Sequence, residues 1–167
     1  MDRRELLAAA CSALPFHLVT FTNAQLKPVT GSFAGSPEER ESLKRTGDQI
    51  RAAFARGDLA GILACHHPDV IKALAYNRYL VGIEALRQDL LITLQAFSLE
   101  FIENTIENTL FHNGTAVEET LFTIQGNPKT AAGAPFTFKG RSMVVYLRYA
   151  DSPTGWASIR EIVQPAT

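Results

Sequence analysis

Cysteine is scarce in this 167-residue chain, where Cys11 and Cys65 are the only two. They are too few for a disulfide framework, and no paired Cys or Cys/His spacing marks a structural zinc site. Charge of one sign is missing as well. Sixteen Lys and Arg face seventeen Asp and Glu, for a net charge of -1, so no cationic field draws a phosphate backbone and nucleic acid is not indicated as a partner. No nucleotide-phosphate loop, nucleophile elbow or metal triad occurs, which argues against phosphoryl transfer and triad hydrolysis. What is present is ordinary globular material. Hydrophobic residues make up 46% and charged residues 20%, with ten Phe, four Tyr and one Trp. That composition fills one sizeable core and excludes both disorder and two full enzymatic domains.

From Leu6 to Leu26 there is no Asp, Glu, Lys or Arg. Arg3-Arg4 resembles a basic leader start, Leu6 to Phe16 an apolar run of secretory length, and Thr22-Asn23-Ala24 a cleavage site before Gln25. The alternative is a short amphipathic helix capped by Asp2 and burying Leu6, Leu7, Ala10 and Leu14. Pro15, His17 and Asn23 make the stretch too polar for a membrane span. Residues 1–24 are therefore read as a signal peptide or an N-terminal helix and 25–35 as a linker. Export to a periplasmic or extracellular location is expected if the leader is cleaved, and a cytoplasmic location otherwise.

The remaining residues, 36–167, form one domain. Ser36-Pro37-Glu38-Glu39 combines an N-cap, a first-position Pro and a capping box, and Leu43, Gly47, Ile50 and Phe54 follow at helical spacing. Gly57 stops this helix and Asp58 caps a second over Leu59 to Cys65. A short strand, Val70 to Leu74, precedes the Tyr76-Asn77-Arg78-Tyr79 segment. A third helix begins near Gly82, with Ile83, Leu86, Leu90, Leu94 and Phe97 as its apolar stripe. From Ser98 the period changes to two, giving strands at about 98–112, 115–125, 136–149 and 156–163. Asn113-Gly114 is a hairpin turn.

This order, with the Gly57-Asp58 step, Gly82-Ile83-Glu84-Ala85-Leu86 at the third helix and Gly155-Trp156-Ala157-Ser158-Ile159 at the end, resembles the SnoaL-like branch of the nuclear transport factor 2-like superfamily. The resemblance implies an α+β fold, a curved antiparallel sheet wrapped as a cone on three N-terminal helices. It also implies a dimer and a ligand cavity at the open end. The same cone hosts isomerases, dehydratases, cyclases, epoxide hydrolases and binders that do no chemistry.

A two-residue turn at Asn113-Gly114 pairs His112 with Thr115 and Asn108 with Glu119, whose side chains then share a face. Simple alternation adds Asn104 and Val117 to that face, then Phe138, Ser142, Val144 and Tyr146, and finally Ile159, Glu161 and Val163. Its largely apolar character marks it as the cone lining. The opposite face collects Glu103, Glu107, Glu118, Lys139, Arg141 and Arg160, and reads as outer. That outer face also carries Phe101, Phe111, Phe122, Ile124, Met143, Val145 and Trp156, more apolar area than a monomer exposes, so a homodimer is expected.

Glu119 and Glu161, each between aliphatic neighbours, are the candidate acid/base groups, because loss of water raises a carboxyl pKa toward neutrality. Ile159-Arg160-Glu161 also resembles the terminal-strand Trp-Arg-Asp of limonene epoxide hydrolase-like members, which implies a working carboxylate at Glu161. The neighbouring strand carries Glu119-Thr120-Leu121 where those enzymes hold Arg-x-Asp. Relative to ketosteroid isomerase-like members, Tyr76, Tyr79 or Tyr146 stands as hydroxyl donor to an oxyanion, with Tyr146 chosen as the catalytic candidate. Asn104, Asn108, Tyr76, Tyr79 and His67 are the candidate ligand contacts. Cys65-His66-His67-Pro68-Asp69 looks metal-like, but adjacent histidines project apart, and no metal site or cofactor is expected. The functional expectation is an acid/base enzyme without cofactor acting on a small hydrophobic molecule. The alternative is a dimeric binding or interaction module.

Overall fold

The computed structural model describes residues 33–131 and 133–166; the N-terminal readings on residues 1–32 lie outside them. Helix α1 spans Pro37–Arg56 and opens on the expected capping box. Ser36 Oγ accepts from the Glu39 amide at 3.1 Å while Glu39 Oε2 accepts from the Ser36 amide at 2.9 Å. It ends at Gly57, whose φ of 64° is the left-handed conformation that a Cβ disfavours. Asp58 then caps α2 (Leu59–Ala64) through the Gly61 amide at 2.8 Å. Helix α3 (Gly82–Ala96) buries Leu86, Leu90 and Leu94 at the anticipated spacing.

Six strands make one sheet: β1 (His66–Ala75), β2 (Arg78–Val81), β3 (Phe97–His112), β4 (Thr115–Pro128), β5 (Phe136–Arg148) and β6 (Trp156–Pro165), in the order β2-β1-β6-β5-β4-β3. Two differences from the sequence reading matter. The first strand starts at His66, not Val70, because a register shift between His66 and Ile71 absorbs Pro68, which has no amide hydrogen to give a ladder. The Tyr76–Tyr79 segment is not simply a joint into the helix. Arg78–Val81 folds back as a short edge strand on β1. The sheet is antiparallel except where β1 runs parallel to β6.

The β3–β4 hairpin has the register expected, with His112 opposite Thr115 and Asn108 opposite Glu119. Asn113 and Gly114 both take positive φ, 47° and 75°. The facing assignment, however, is reversed on β4. Ala116, Glu118, Thr120 and Phe122 are the buried set, while Leu121 is exposed. On β3, register shifts at Phe101/Glu103 and Ile106/Asn108 each insert a residue and invert the alternation. Asn104 therefore points inward and Asn108 outward, although they are four residues apart.

Packing explains the reversal. Of the residues assigned to the outer face, Phe111, Phe122 and Trp156 are buried. Trp156, fully enclosed, meets Phe111 edge-on at 6.0 Å and donates from Nε1 to Ser42 Oγ at 2.9 Å. Planar rings fill the concave side against the helices, and aliphatic Leu110, Leu121, Met143 and Ile162 are left on the convex side. One core cluster joins Ala53, Ile62, Val70, Leu86 and Leu99; a second joins Leu43, Phe111, Ala116, Val144, Tyr146 and Trp156.

Candidate functional site

A cavity of about 420 Å³ lies on the concave side, lined by all three helices and by every strand of the sheet. The polar groups of its wall that bear on chemistry come from two neighbouring rungs of the sheet. The register runs Ala116–Tyr146–Ser158–His66 across one rung and Glu118–Val144–Glu161–Lys72 across the next. With strands about 4.8 Å apart, Glu118 and Glu161 have backbones roughly 10 Å apart, with Val144 between them. Tyr146 stands two residues along the strand from Val144, diagonal to both.

Glu118 is buried, lines the cavity and, among the described residues, has neither a hydrogen-bond nor an ion-pair partner. Burial holds its carboxyl pKa above the usual range, against a smaller opposing pull from Arg51. Tyr146 is likewise buried, its hydroxyl without a hydrogen-bond partner among the described residues; burial first, then the fields of Glu118 and Glu161, push its pKa well up, so it remains a neutral donor. His66 engages the Ile62 carbonyl through Nδ1 at 2.8 Å. A carbonyl only accepts, so Nδ1 carries the proton and Nε2 keeps its lone pair. Burial, with a contribution from Lys72, lowers the His66 pKa to about 3, so this ring is neutral at physiological pH. Lys72 is buried and ion-paired with Glu161 inside the cavity.

The sequence-selected residues divide accordingly. Glu161, Tyr146 and Asn104 line the cavity. Glu161 is not the isolated carboxylate expected, because Lys72 meets it. Glu119 is outside the lining, on the convex row with Met143 and Ile162, and Asn108 is exposed beside it. Tyr76 and Tyr79 are both exposed and do not line the cavity. His67 packs edge-on against Tyr149 at 4.9 Å, away from the cavity. Cys65 is enclosed, and burial raises its thiol to about 11. Among the described residues no three His, Cys, Asp or Glu side chains are grouped to hold a metal ion, and no helix is long and apolar enough to cross a membrane.

Sequence reasoning assigned Glu118 to the outer face and did not select Lys72, whereas His66, weighed beside His67 as a residue at the cavity rim, is the one of the two that lines it. The signal for Glu118 was available: Thr120, Phe122 and Ile124 continue its face, and an aromatic-bearing face belongs against helices.

Solved structures with this architecture are numerous. A protein provisionally named scytalone dehydratase from Novosphingobium aromaticivorans superposes with a TM-score of 0.69 at 13% identity, over 77% of this chain and 85% of that one. A ketosteroid isomerase-like protein from Erwinia carotovora atroseptica gives 0.64 at 15% identity, over 79% and 99%. A nuclear transport factor 2-like superfamily protein from Salmonella enterica serovar Typhimurium gives 0.62 at 12%, over 77% and 91%. The fold is nuclear transport factor 2-like. Identities this low establish the fold alone. No protein-family model and no curated protein sequence matches the chain. Within the nuclear transport factor 2-like cone, then, the chemistry has to be argued from this chain's own cavity.

Proposed function

We propose that the protein is an acid/base enzyme, needing no cofactor, that moves a proton next to a carbonyl group of a small hydrophobic molecule. That step is shared by isomerisation, dehydration, cyclisation and hydration. The observation that carries the reading is Glu118, a buried carboxyl with no partner among the described residues and a raised pKa, facing a largely apolar cavity. Its base strength is nearer neutrality than that of a hydrated carboxylate, which suits proton abstraction from carbon. Charge then develops on the substrate oxygen. Tyr146, kept neutral, donates to that oxygen, and Lys72 has N–H donors beyond the one spent on Glu161. Glu161 thus holds Lys72 in place. His66 Nε2 accepts from a substrate hydroxyl.

The test is solvent exchange. Small hydrophobic ketones incubated in deuterium oxide with the protein should gain deuterium at the carbon beside the carbonyl, read by NMR. Glu118→Gln should slow this by at least a hundredfold, and Tyr146→Phe by tenfold or more. Exchange that is unchanged in Glu118→Gln rejects the reading. Ligand binding with no exchange in wild type favours the binding-module alternative.

A homodimer belongs to the same proposal. The convex face carries Leu110, Leu121, Met143 and Ile162, all more than a third exposed, and a second copy of the chain would cover them. Sedimentation should give twice the chain mass, and Ile162→Glu should shift it toward monomer. A monomer at all concentrations refutes this.

A further inference from the structure

The cavity has two chemically different ends. Its polar rungs lie between Tyr146 and Lys72. Phe54, Phe101, Phe122 and Phe138 make a continuous aromatic wall across α1, β3, β4 and β5, with successive ring centroids 5.6, 6.2 and 5.7 Å apart. Gly140 faces Phe122 across the β4–β5 ladder, and a Cβ there would come within 3.1 Å of its ring and 3.0 Å of the Gln164 carbonyl. The missing side chain lets that ring keep its place. Along β4 the distance from Glu118 to Ile124 is about 20 Å at roughly 3.4 Å per residue, so a flat body and a reactive head can occupy separate zones.

Charge in the lining is almost fully cancelled. Each of its three permanent cations already has an acidic partner: Arg51 with Asp48 at 2.5 Å, Lys72 with Glu161, and Arg78 with Asp89 at 2.6 Å. His66 is neutral. Among the described residues Glu118 has no ion-pair partner within contact distance, the nearby Arg51 acting on it only as a weaker field while it is held by Asp48, so an anionic ligand has to compete with a carboxylate for every cation of the lining. An anion placed at the polar end meets Glu118 in a medium of low dielectric, where two like charges several ångströms apart lose on the order of ten- to a hundredfold in affinity. The aromatic wall rewards planar partners, since offset or edge-on ring pairs add to simple area burial.

We propose that the cavity selects uncharged, flat aromatic ketones and excludes their carboxylate analogues, with Glu118 enforcing the choice of charge and Phe122 and Phe138 the choice of shape. The proposal rests on the acid/base reading for the location of the reactive end, but it concerns binding and needs no turnover. The ketone oxygen meets Tyr146 and Lys72 while the rings lie along the phenylalanines.

Three probes of similar size separate the possibilities by titration calorimetry at pH 8: 2-acetylnaphthalene, 2-naphthoate and the saturated 2-acetyldecalin. Wild type should bind the naphthyl ketone at least tenfold more tightly than the naphthoate and several-fold more tightly than the decalin. In the isosteric Glu118→Gln, naphthoate should come within about threefold of the ketone. Phe122→Leu and Phe138→Leu should remove the preference for the aromatic ketone over its saturated analogue while leaving the charge preference in place. Equal binding of ketone and carboxylate by wild type, charge discrimination that persists in Glu118→Gln, equal binding of the saturated probe, or failure of all three to bind would each overturn the proposal. Tight ketone binding with no solvent exchange would leave this selection intact and reject only the catalytic reading.

Discussion

His66 should make the protein acid-labile in a calculable way. Its folded-state pKa is about 3 against 6.5 for the free side chain. Between those values the unfolded chain binds more protons than the folded one, so stability is present above pH 6.5 and is lost as pH falls. Each pH unit in that window is worth about 1.4 kcal/mol, so the fall from pH 6.5 to 5 costs roughly 2 kcal/mol from this residue alone. His66→Asn isolates it, since the amide can still donate to the Ile62 carbonyl but does not titrate. Glu118 acts in the opposite sense, its raised pKa giving stability at low pH that is lost as pH rises, and its contribution largely cancels because both proteins carry it. Urea unfolding can be followed by the fluorescence of Trp156, the sole tryptophan and fully buried, at one fixed protein concentration. The stability difference between wild type and variant should shrink by about 2 kcal/mol from pH 7 to pH 5. A difference independent of pH would refute the assignment of a neutral, buried imidazole.

Two further outcomes test the packing around the site. Lys72→Met leaves the Glu161 carboxylate unpaired in the cavity and should destabilise by about 3 kcal/mol, whereas Lys72→Met with Glu161→Met should recover most of that loss; additive losses in chemical denaturation would contradict the pairing. Trp156→Phe removes the indole donor to Ser42 and opens space beside Phe111, and should cost about 2 kcal/mol in the same assay; a loss below ~0.5 kcal/mol would deny it a core role.

How far the fold was legible depends on range. Local rules carried the helices: the Ser36–Glu39 box, the Gly57 stop and the Asp58 cap act over three or four residues, and all appear in the structure. The hairpin register followed from Asn113-Gly114 for the same reason. Facing failed because it is not local. Alternation on β3 is inverted twice by inserted residues, and nothing in Phe-Ile-Glu-Asn marks where a strand bulges. Which side becomes interior is settled by the helices that pack on it, and those buried Phe111, Phe122 and Trp156 rather than Leu110, Leu121 and Met143. Taking the wrong side of β4 as the interior exchanged Glu118 and Glu119. On β5 and β6 the alternation placed Tyr146 and Glu161 in the lining. Lys72 could not be foreseen as the partner of Glu161 without the parallel pairing of β1 with β6, which joins residues 89 apart in sequence.

Glu118, not its neighbour Glu119 on the convex face, is the cavity carboxyl whose pKa burial raises. Carbon-13 NMR of protein labelled at glutamate side-chain carboxyls, titrated in wild type, Glu118→Gln and Glu119→Gln, measures this directly. One carboxyl should titrate above the ordinary glutamate range, vanish in Glu118→Gln and persist in Glu119→Gln. If the resonance lost in Glu118→Gln titrates at or below about 4.3, the value of a free glutamate, the cavity holds no such acid and the proposed chemistry has no base.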